Sequence, residues 1–213
     1  MKLYSYWRST AAYRVRIALN IKQIEYKYEA IHLVKDGGQH LLDDYKSLNP
    51  QSLVPALETD DQEVLTQSLA IIDYLEENHP EPSLYPKNII QKAQAKAMAL
   101  SIACDIHPLN NLRVLKYLKG KDWSQTDVDA WYAHWIHEGF NAIEKQLQNT
   151  AGLYCFADRV SVADIFLVAQ VYNANRFNVP LENYPNIVKI NTQCLQQKAF
   201  IDAMPENQPD CDL

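Results

Sequence analysis

The sequence has 213 residues, 47% of them hydrophobic and 22% charged, with a net charge of -6; that is chain enough for one large domain or two small ones with a sizeable core. The acidic balance argues against non-specific binding to nucleic acid, and Cys104, Cys155, Cys194 and Cys211 form neither a CxxC pair nor a metal-ligand spacing. No apolar run approaches bilayer-spanning length and the chain opens on a strand pattern rather than a secretory one, so the expectation is a soluble cytoplasmic protein without a metal.

Leu3 to Trp7 is short, aromatic and uninterrupted, as suits a buried strand. The period then changes: Val15, Ala18 and Leu19 share a helical face supported by Tyr13, Ile17 and Ile21, which sets Ser9 and Thr10 at a helix start. A hydroxyl there caps the helix, or it holds an anion such as a carboxylate or thiolate at the positive end of the dipole. Arg8, Arg14 and Arg16 form the one notable N-terminal basic cluster, and on a helix they diverge in part. Glu25 to Ile31 reads as a second strand, His32 to Asp44 as a polar loop, and His40 to Ser47 as an irregular helix. Asn49-Pro50 is a turn signal, and Val54 to Glu58 a strand entered through Pro55, whose bond is open to the cis form. Asp60-Asp61 turns the chain into a partner strand at Glu63 to Leu65, and Gln67-Ser68 opens a helix that runs through Asn78.

His79 to Asn88 carries Pro80, Pro82 and Pro86, a linker composition. Strand signals mostly stop after it. One long helix is expected over residues 93–118, bent near His107-Pro108, and a second from Trp123-Ser124 to Gln148. Ser161 to Asp164 is an S-x-x-D cap before an apolar helix, and a further helix is expected over 184–197. The polar tail from Pro205 is expected to be loose. The architecture is therefore an α/β domain over residues 1–80, a linker over 81–88, and an all-α domain over 89–213.

This order of elements resembles the glutathione transferase fold, in which a thioredoxin-like N-terminal domain precedes a helical one. Arg8 to Leu19 resembles the zeta-class signature R-S-S-C-S-x-R-V-R-I-A-L, and the likeness continues through Asn49-Pro50-Gln51, Gln67 to Ile72 and Asn173 to Phe177. It covers nearly the whole chain. One departure is plain: the signature's cysteine is Ala11 here and its second serine is Thr10. A thiol that assists the reaction or affects inactivation is thereby absent, while Ser9 remains.

The resemblance implies glutathione as cofactor, with Ser9 as the catalytic hydroxyl and Thr10 either a cap or a second donor. It implies Val54 and Pro55 against the cysteinyl part, Gln67 and Ser68 on the γ-glutamyl carboxylate, and His40 and Gln51 at the glycyl end. Arg8 and Arg176 are the candidate forks for a dicarboxylate substrate, and His107 and Asn111, from a polar group with Asn110 and Arg113, are candidate pocket residues. The implied reaction is glutathione-dependent cis–trans isomerisation of maleylacetoacetate to fumarylacetoacetate in tyrosine and phenylalanine breakdown, by thiolate addition, bond rotation and elimination, in a homodimer that binds neither nucleic acid nor membrane. Maleylpyruvate isomerisation, transferase chemistry on small α-haloacids, and a non-catalytic binding module stay open. Leu112, where a third cation could stand, tilts the choice towards the longer diketo acid.

Overall fold

The computed structural model describes residues 1–213, the side chain of Asp36 aside. It divides into two compact units, Met1–Ser83 with Gln196–Leu213, and Leu84–Leu195. The expected helical domain over 89–213 thus gives up its last 18 residues to the first unit, and the expected linker falls at the division.

The first unit is built on a four-stranded sheet in the order β2-β1-β3-β4. Strand β1 (Lys2–Ser5) pairs parallel with β2 (Lys27–Ala30) and antiparallel with β3 (Ala56–Glu58), which pairs antiparallel with β4 (Val64–Thr66). A parallel pair needs a crossover, supplied by α1 (Thr10–Ile21). Leu3 faces Leu57 in register, and both are fully buried. Helix α1 lies against α3 (Ser68–Asn78) and α9 (Lys198–Ala203), and Val15, Ile17, Leu19, Ile71 and Leu75 join the same core. The irregular helix resolves into a 3-10 turn at Gln39–Leu41 followed by α2 (Asp43–Leu48).

The expected loose tail is instead held in place. A 3-10 turn at Pro205–Asn207 follows α9, Gln208 Nε2 donates to the carbonyls of Asp202 and Met204, and Asp210 accepts the backbone N–H of Trp7 at 3.0 Å. A polar composition predicts disorder only where nothing buried needs a partner; here a buried N–H needs one.

The second unit is all helical: α4 (Ile89–Leu100), α5 (Leu112–Lys119), α6 (Gln125–Thr150), α7 (Val162–Arg176) and α8 (Pro185–Cys194). The single bent helix expected over 93–118 breaks further than that. After α4 the chain runs through a π-helical segment, Ser101–Ile106, and a 3-10 turn, His107–Asn110, before α5 begins. Pro108 lacks an N–H and crowds the carbonyl one turn back, so the regular ladder stops before it. Gly139 of α6 is the reason the π segment packs as it does: a Cβ there would fall 2.1 Å from Ile106 Cδ1. Helix α7 has Val162 to Val171 all buried, as befits the centre of a helical unit. The last expected helix, over 184–197, is α8 and ends at Cys194; α9, which the sequence reading did not expect, follows after Leu195 to Gln197.

Candidate functional site

Strand β1 ends in a turn closed by the Ser9 N–H donating to the Tyr6 carbonyl at 2.9 Å. Ser9 is extended (φ -75°, ψ 114°) and its Oγ accepts from the Ala12 N–H at 3.2 Å, so it is the N-cap of α1. Accepting that bond leaves the hydroxyl hydrogen to donate. No acidic residue stands in the first turn of α1, so no carboxylate of the helix itself offsets the positive end of the dipole. The capping and anion-holding readings of Ser9 are therefore compatible. Thr10, 3% exposed, lies in the core of the unit, while Arg8 remains partly exposed with its guanidinium carbon 4.2 Å from the Trp7 ring centroid.

The peptide bond between Val54 and Pro55 is cis, and both residues are buried at the entry to β3. The segment before it is fixed by two bonds to the Leu53 carbonyl, from the Tyr45 hydroxyl at 2.7 Å and Asn49 Nδ2 at 2.8 Å. Burial pushes the Tyr45 phenol up to about 12, so it stays a neutral donor. Gln51 N–H donates to Asn49 Oδ1, and Gln51 Oε1 accepts from Gln67 Nε2 at 3.1 Å, which brings two sequence-predicted residues together.

Gln67 caps α3 with φ 69°, a left-handed conformation that costs a non-glycine residue about 1–3 kcal/mol and persists where the surroundings hold it. The first turn of α3 likewise lacks an acidic residue. Ser68 is buried, and its Oγ accepts from Arg14 Nη1 at 3.3 Å. A buried guanidinium thus stands behind the hydroxyl meant for a carboxylate, a chemistry suited to an anion. His40 sits in the 3-10 turn, where Gly38 at φ 108° leaves it room: a Cβ on Gly38 would meet His40 Cε1 at 2.5 Å. The donor set fits glutathione: a capping hydroxyl whose hydrogen is left to donate to a thiolate, a backed hydroxyl at a helix start for a carboxylate, and a proline-led strand edge for a peptide.

The other candidates lie in the second unit. His107 opens the 3-10 turn after the π segment. Asn111 is the N-cap of α5, its Oδ1 accepting from the Arg113 N–H at 3.1 Å, and Leu112 beside it is 37% exposed. Asn110 is buried and donates to the Tyr132 carbonyl at 3.0 Å, a tie to α6. Arg176 ends α7 with its guanidinium carbon 5.0 Å from the Phe177 ring, which stacks on Tyr132 at 3.7 Å.

Sequence reasoning missed the burial of Arg14 (2% exposed) and Arg16 (0%). Arg16 donates from Nη2 to the Trp7 carbonyl and from Nε to the Ala203 carbonyl, each at 3.0 Å, and burial lowers its pKa. The signal was available: two arginines inside an otherwise apolar helical run need buried acceptors.

A mixed βαβ–ββα sheet unit with a cis-proline strand entry and two helix starts free of acidic residues is a thioredoxin-like domain whose donors suit an anionic peptide ligand. Residues 3–83 match the model of the glutathione S-transferase N-terminal domain. A probable maleylacetoacetate isomerase of Vibrio cholerae is 49% identical over 98% of this chain and 97% of its own. Among solved structures, a zeta-class bacterial maleylpyruvate isomerase is 45% identical with a TM-score of 0.94 over 99% of both chains. A maleylacetoacetate isomerase from Methylobacterium extorquens AM1, solved with malonate and glutathione bound, is 36% identical with a TM-score of 0.95 over 100% of both. The chain belongs to the glutathione S-transferase family, in the zeta class with the maleylacetoacetate isomerases.

Proposed function

We propose that the chain is a glutathione-dependent cis–trans isomerase that converts maleylacetoacetate to fumarylacetoacetate. The observation that carries this reading is the start of α1, where Ser9 caps with its oxygen, keeps its hydrogen, and meets no acidic residue in the first turn. Bound glutathione supplies a thiolate that adds to the cis double bond and departs after rotation, so it is regenerated. Ser9 lowers the thiol's pKa by donating a hydrogen bond to the charged form, and the α1 dipole acts in the same direction. Gln67 and Ser68 hold the γ-glutamyl carboxylate, with Arg14 behind Ser68; Val54 and Pro55 offer backbone groups to the cysteinyl part, and His40 and Gln51 serve the glycyl end. Thr10, buried, serves packing and the helix start more than the thiol. Arg8 offers a cationic fork to a substrate carboxylate, and Arg176, His107 and Asn111 remain candidates for the substrate. Burial pushes the Cys155 and Cys194 thiols up, which leaves both neutral and unsuited as nucleophiles.

The chain is also proposed to be a cytoplasmic homodimer. Support comes from the family resemblance, from four free cysteines, and from Ile89 (78% exposed) and Ile90 (64%) on α4, which give a second copy an apolar surface. Among the described residues no helix is long and apolar enough to cross a membrane.

The test is turnover of enzymatically generated maleylacetoacetate with and without glutathione, in the parent and in Ser9→Ala. Glutathione-dependent turnover that collapses in the variant supports the reading. A second reading, maleylpyruvate isomerisation, is favoured by the likeness to the bacterial maleylpyruvate isomerase. Turnover of maleylpyruvate in the absence of maleylacetoacetate turnover selects it, and glutathione binding without either activity leaves a haloacid transferase or a binding module.

A further inference from the structure

The turn that delivers Ser9 runs from Tyr6 to Ser9, closed by the bond between the Ser9 N–H and the Tyr6 carbonyl. In such a turn the N–H of the second residue points away from the closing bond and needs an outside partner. That residue is Trp7, which is fully buried. Its N–H donates to Asp210 Oδ2 at 3.0 Å, across 203 residues of sequence, and its carbonyl accepts from Arg16 Nη2. The other oxygen of Asp210 accepts from the Tyr28 hydroxyl of β2 at 2.6 Å, so neither carboxylate oxygen is idle.

The neighbouring tail residues tighten the same strap. Cys211 packs against the cluster of Tyr6, Trp7, Tyr45 and Val54. Asp212 Oδ2 lies 3.3 Å from His32 Nε2 and 3.4 Å from Lys35 Nζ. Since His32 Nδ1 accepts from the N–H groups of Val34 and Lys35, Nε2 carries the hydrogen and donates to Asp212. The last residues of the chain therefore tie down both the Ser9 turn and the base of the loop that carries His40.

We propose that Asp210 is a positioning residue of the glutathione site: by holding the Trp7 N–H against its carboxylate it fixes the turn that aims the Ser9 hydroxyl and the start of α1. The proposal rests on the reading of Ser9 as the thiolate's donor. Without Asp210 the Trp7 peptide is a buried donor with no acceptor, and the turn shifts to find water. Asp210→Asn keeps the geometry, because a carboxamide oxygen still accepts from Trp7 while its NH2 donates to the Tyr28 hydroxyl.

The test compares the parent with Asp210→Ala, Asp210→Asn and Ser9→Ala by two readouts. One is exchange of the Trp7 amide hydrogen in the protein without glutathione; the other is the ultraviolet absorbance of the bound thiolate as pH is varied. Asp210→Ala is expected to speed Trp7 exchange and to raise the bound thiol's pKa, cutting the thiolate near pH 7 about tenfold, with kcat falling in parallel and the KM for glutathione little changed. Asp210→Asn restores both. An Asp210→Ala protein with the parent's thiol pKa, beside a Ser9→Ala protein whose thiol pKa is raised, overturns the proposal alone. An unchanged thiol pKa in Ser9→Ala sinks the reading of Ser9, and the proposal that rests on it falls with that reading whatever Asp210→Ala shows. Should Asp210→Ala not fold, Asp210→Glu, with its carboxylate one methylene further out, carries the same expectations.

Discussion

At the start of α1, Ser9 accepts one bond from the Ala12 N–H, remains partly exposed, and has no acidic residue in the turn that follows. At the start of α7, Ser161 is 1% exposed, and both its N–H and its hydroxyl donate to Asp164 Oδ2 at 2.8 Å. The second oxygen of Asp164 accepts the Cys155 N–H at 2.7 Å. Both helices begin at a serine. The α7 start spends its serine hydrogen and its dipole on a carboxylate of its own, which makes it a structural joint; the α1 start leaves both unspent, which suits a ligand.

The comparison breaks most visibly at Asp164. Asp164→Ala strands the buried N–H groups of Ser161 and Cys155, at about 1–3 kcal/mol for each lost partner, so urea unfolding is expected to show a loss of roughly 3–5 kcal/mol. A loss under about 1 kcal/mol would mean that water replaces the carboxylate and that the α7 cap is not buried in solution. Burial pushes the Asp164 carboxyl above its usual range, against the hydrogen bonds from Cys155 and Ser161 that lower it. A raised folded-state value means that this group's contribution is fully present below the unfolded pKa and is lost as pH rises through the folded one. Asp164→Asn, which removes the titration, is therefore expected to flatten the stability profile across that window.

Ser9→Ala has the opposite profile. Loss of an N-cap costs about 1 kcal/mol of stability, but loss of a donor aimed at developing or resident charge costs about 100-fold in kcat. A kcat lowered about 100-fold with a near-parent melting curve is the expected result. An equal loss of both would put Ser9 with Ser161 among the structural caps. Ser68→Ala tests the second unneutralised start, α3: glutathione affinity, read by calorimetry, is expected to fall about five- to tenfold, the worth of one hydrogen bond.

The local parts of this contrast are legible in the sequence. Ser161 and Asp164 stand at capping-box spacing, Gln67-Ser68 precedes a periodic apolar run, and Pro55 leads a strand; each signal lies within four residues. What escapes is what partners at long range. Asp210 reads as one more polar residue in a tail, because its partners, Trp7 and Tyr28, are 203 and 182 residues away. Arg14 and Arg16 read only as part of a basic cluster, because the acceptors that let them be buried come from elsewhere: Ser68 Oγ from α3, the Ala203 carbonyl from α9 and the Trp7 carbonyl from the turn before α1. The π segment before His107 was hidden for a related reason. Pro108 announces a break, but its form is set by how closely α6 passes, through Gly139.

The smallest effect comes from a third serine start and separates two explanations of the contrast. Ser124 caps α6 with a reciprocal box like that of Ser161: its N–H and hydroxyl donate to Asp127 Oδ2, and the Asp127 N–H donates back to Ser124 Oγ at 3.2 Å. This box is exposed to solvent. If burial sets the worth of a neutralised cap, Ser124→Ala is expected to lose only about 0.5–1 kcal/mol, because water takes up the freed groups. A loss as large as that of Asp164→Ala would mean that the reciprocal carboxylate itself, rather than burial, makes the joint. In either case glutathione affinity stays at the parent's value, since a helix start whose dipole already faces a carboxylate has no positive end left for a second anion.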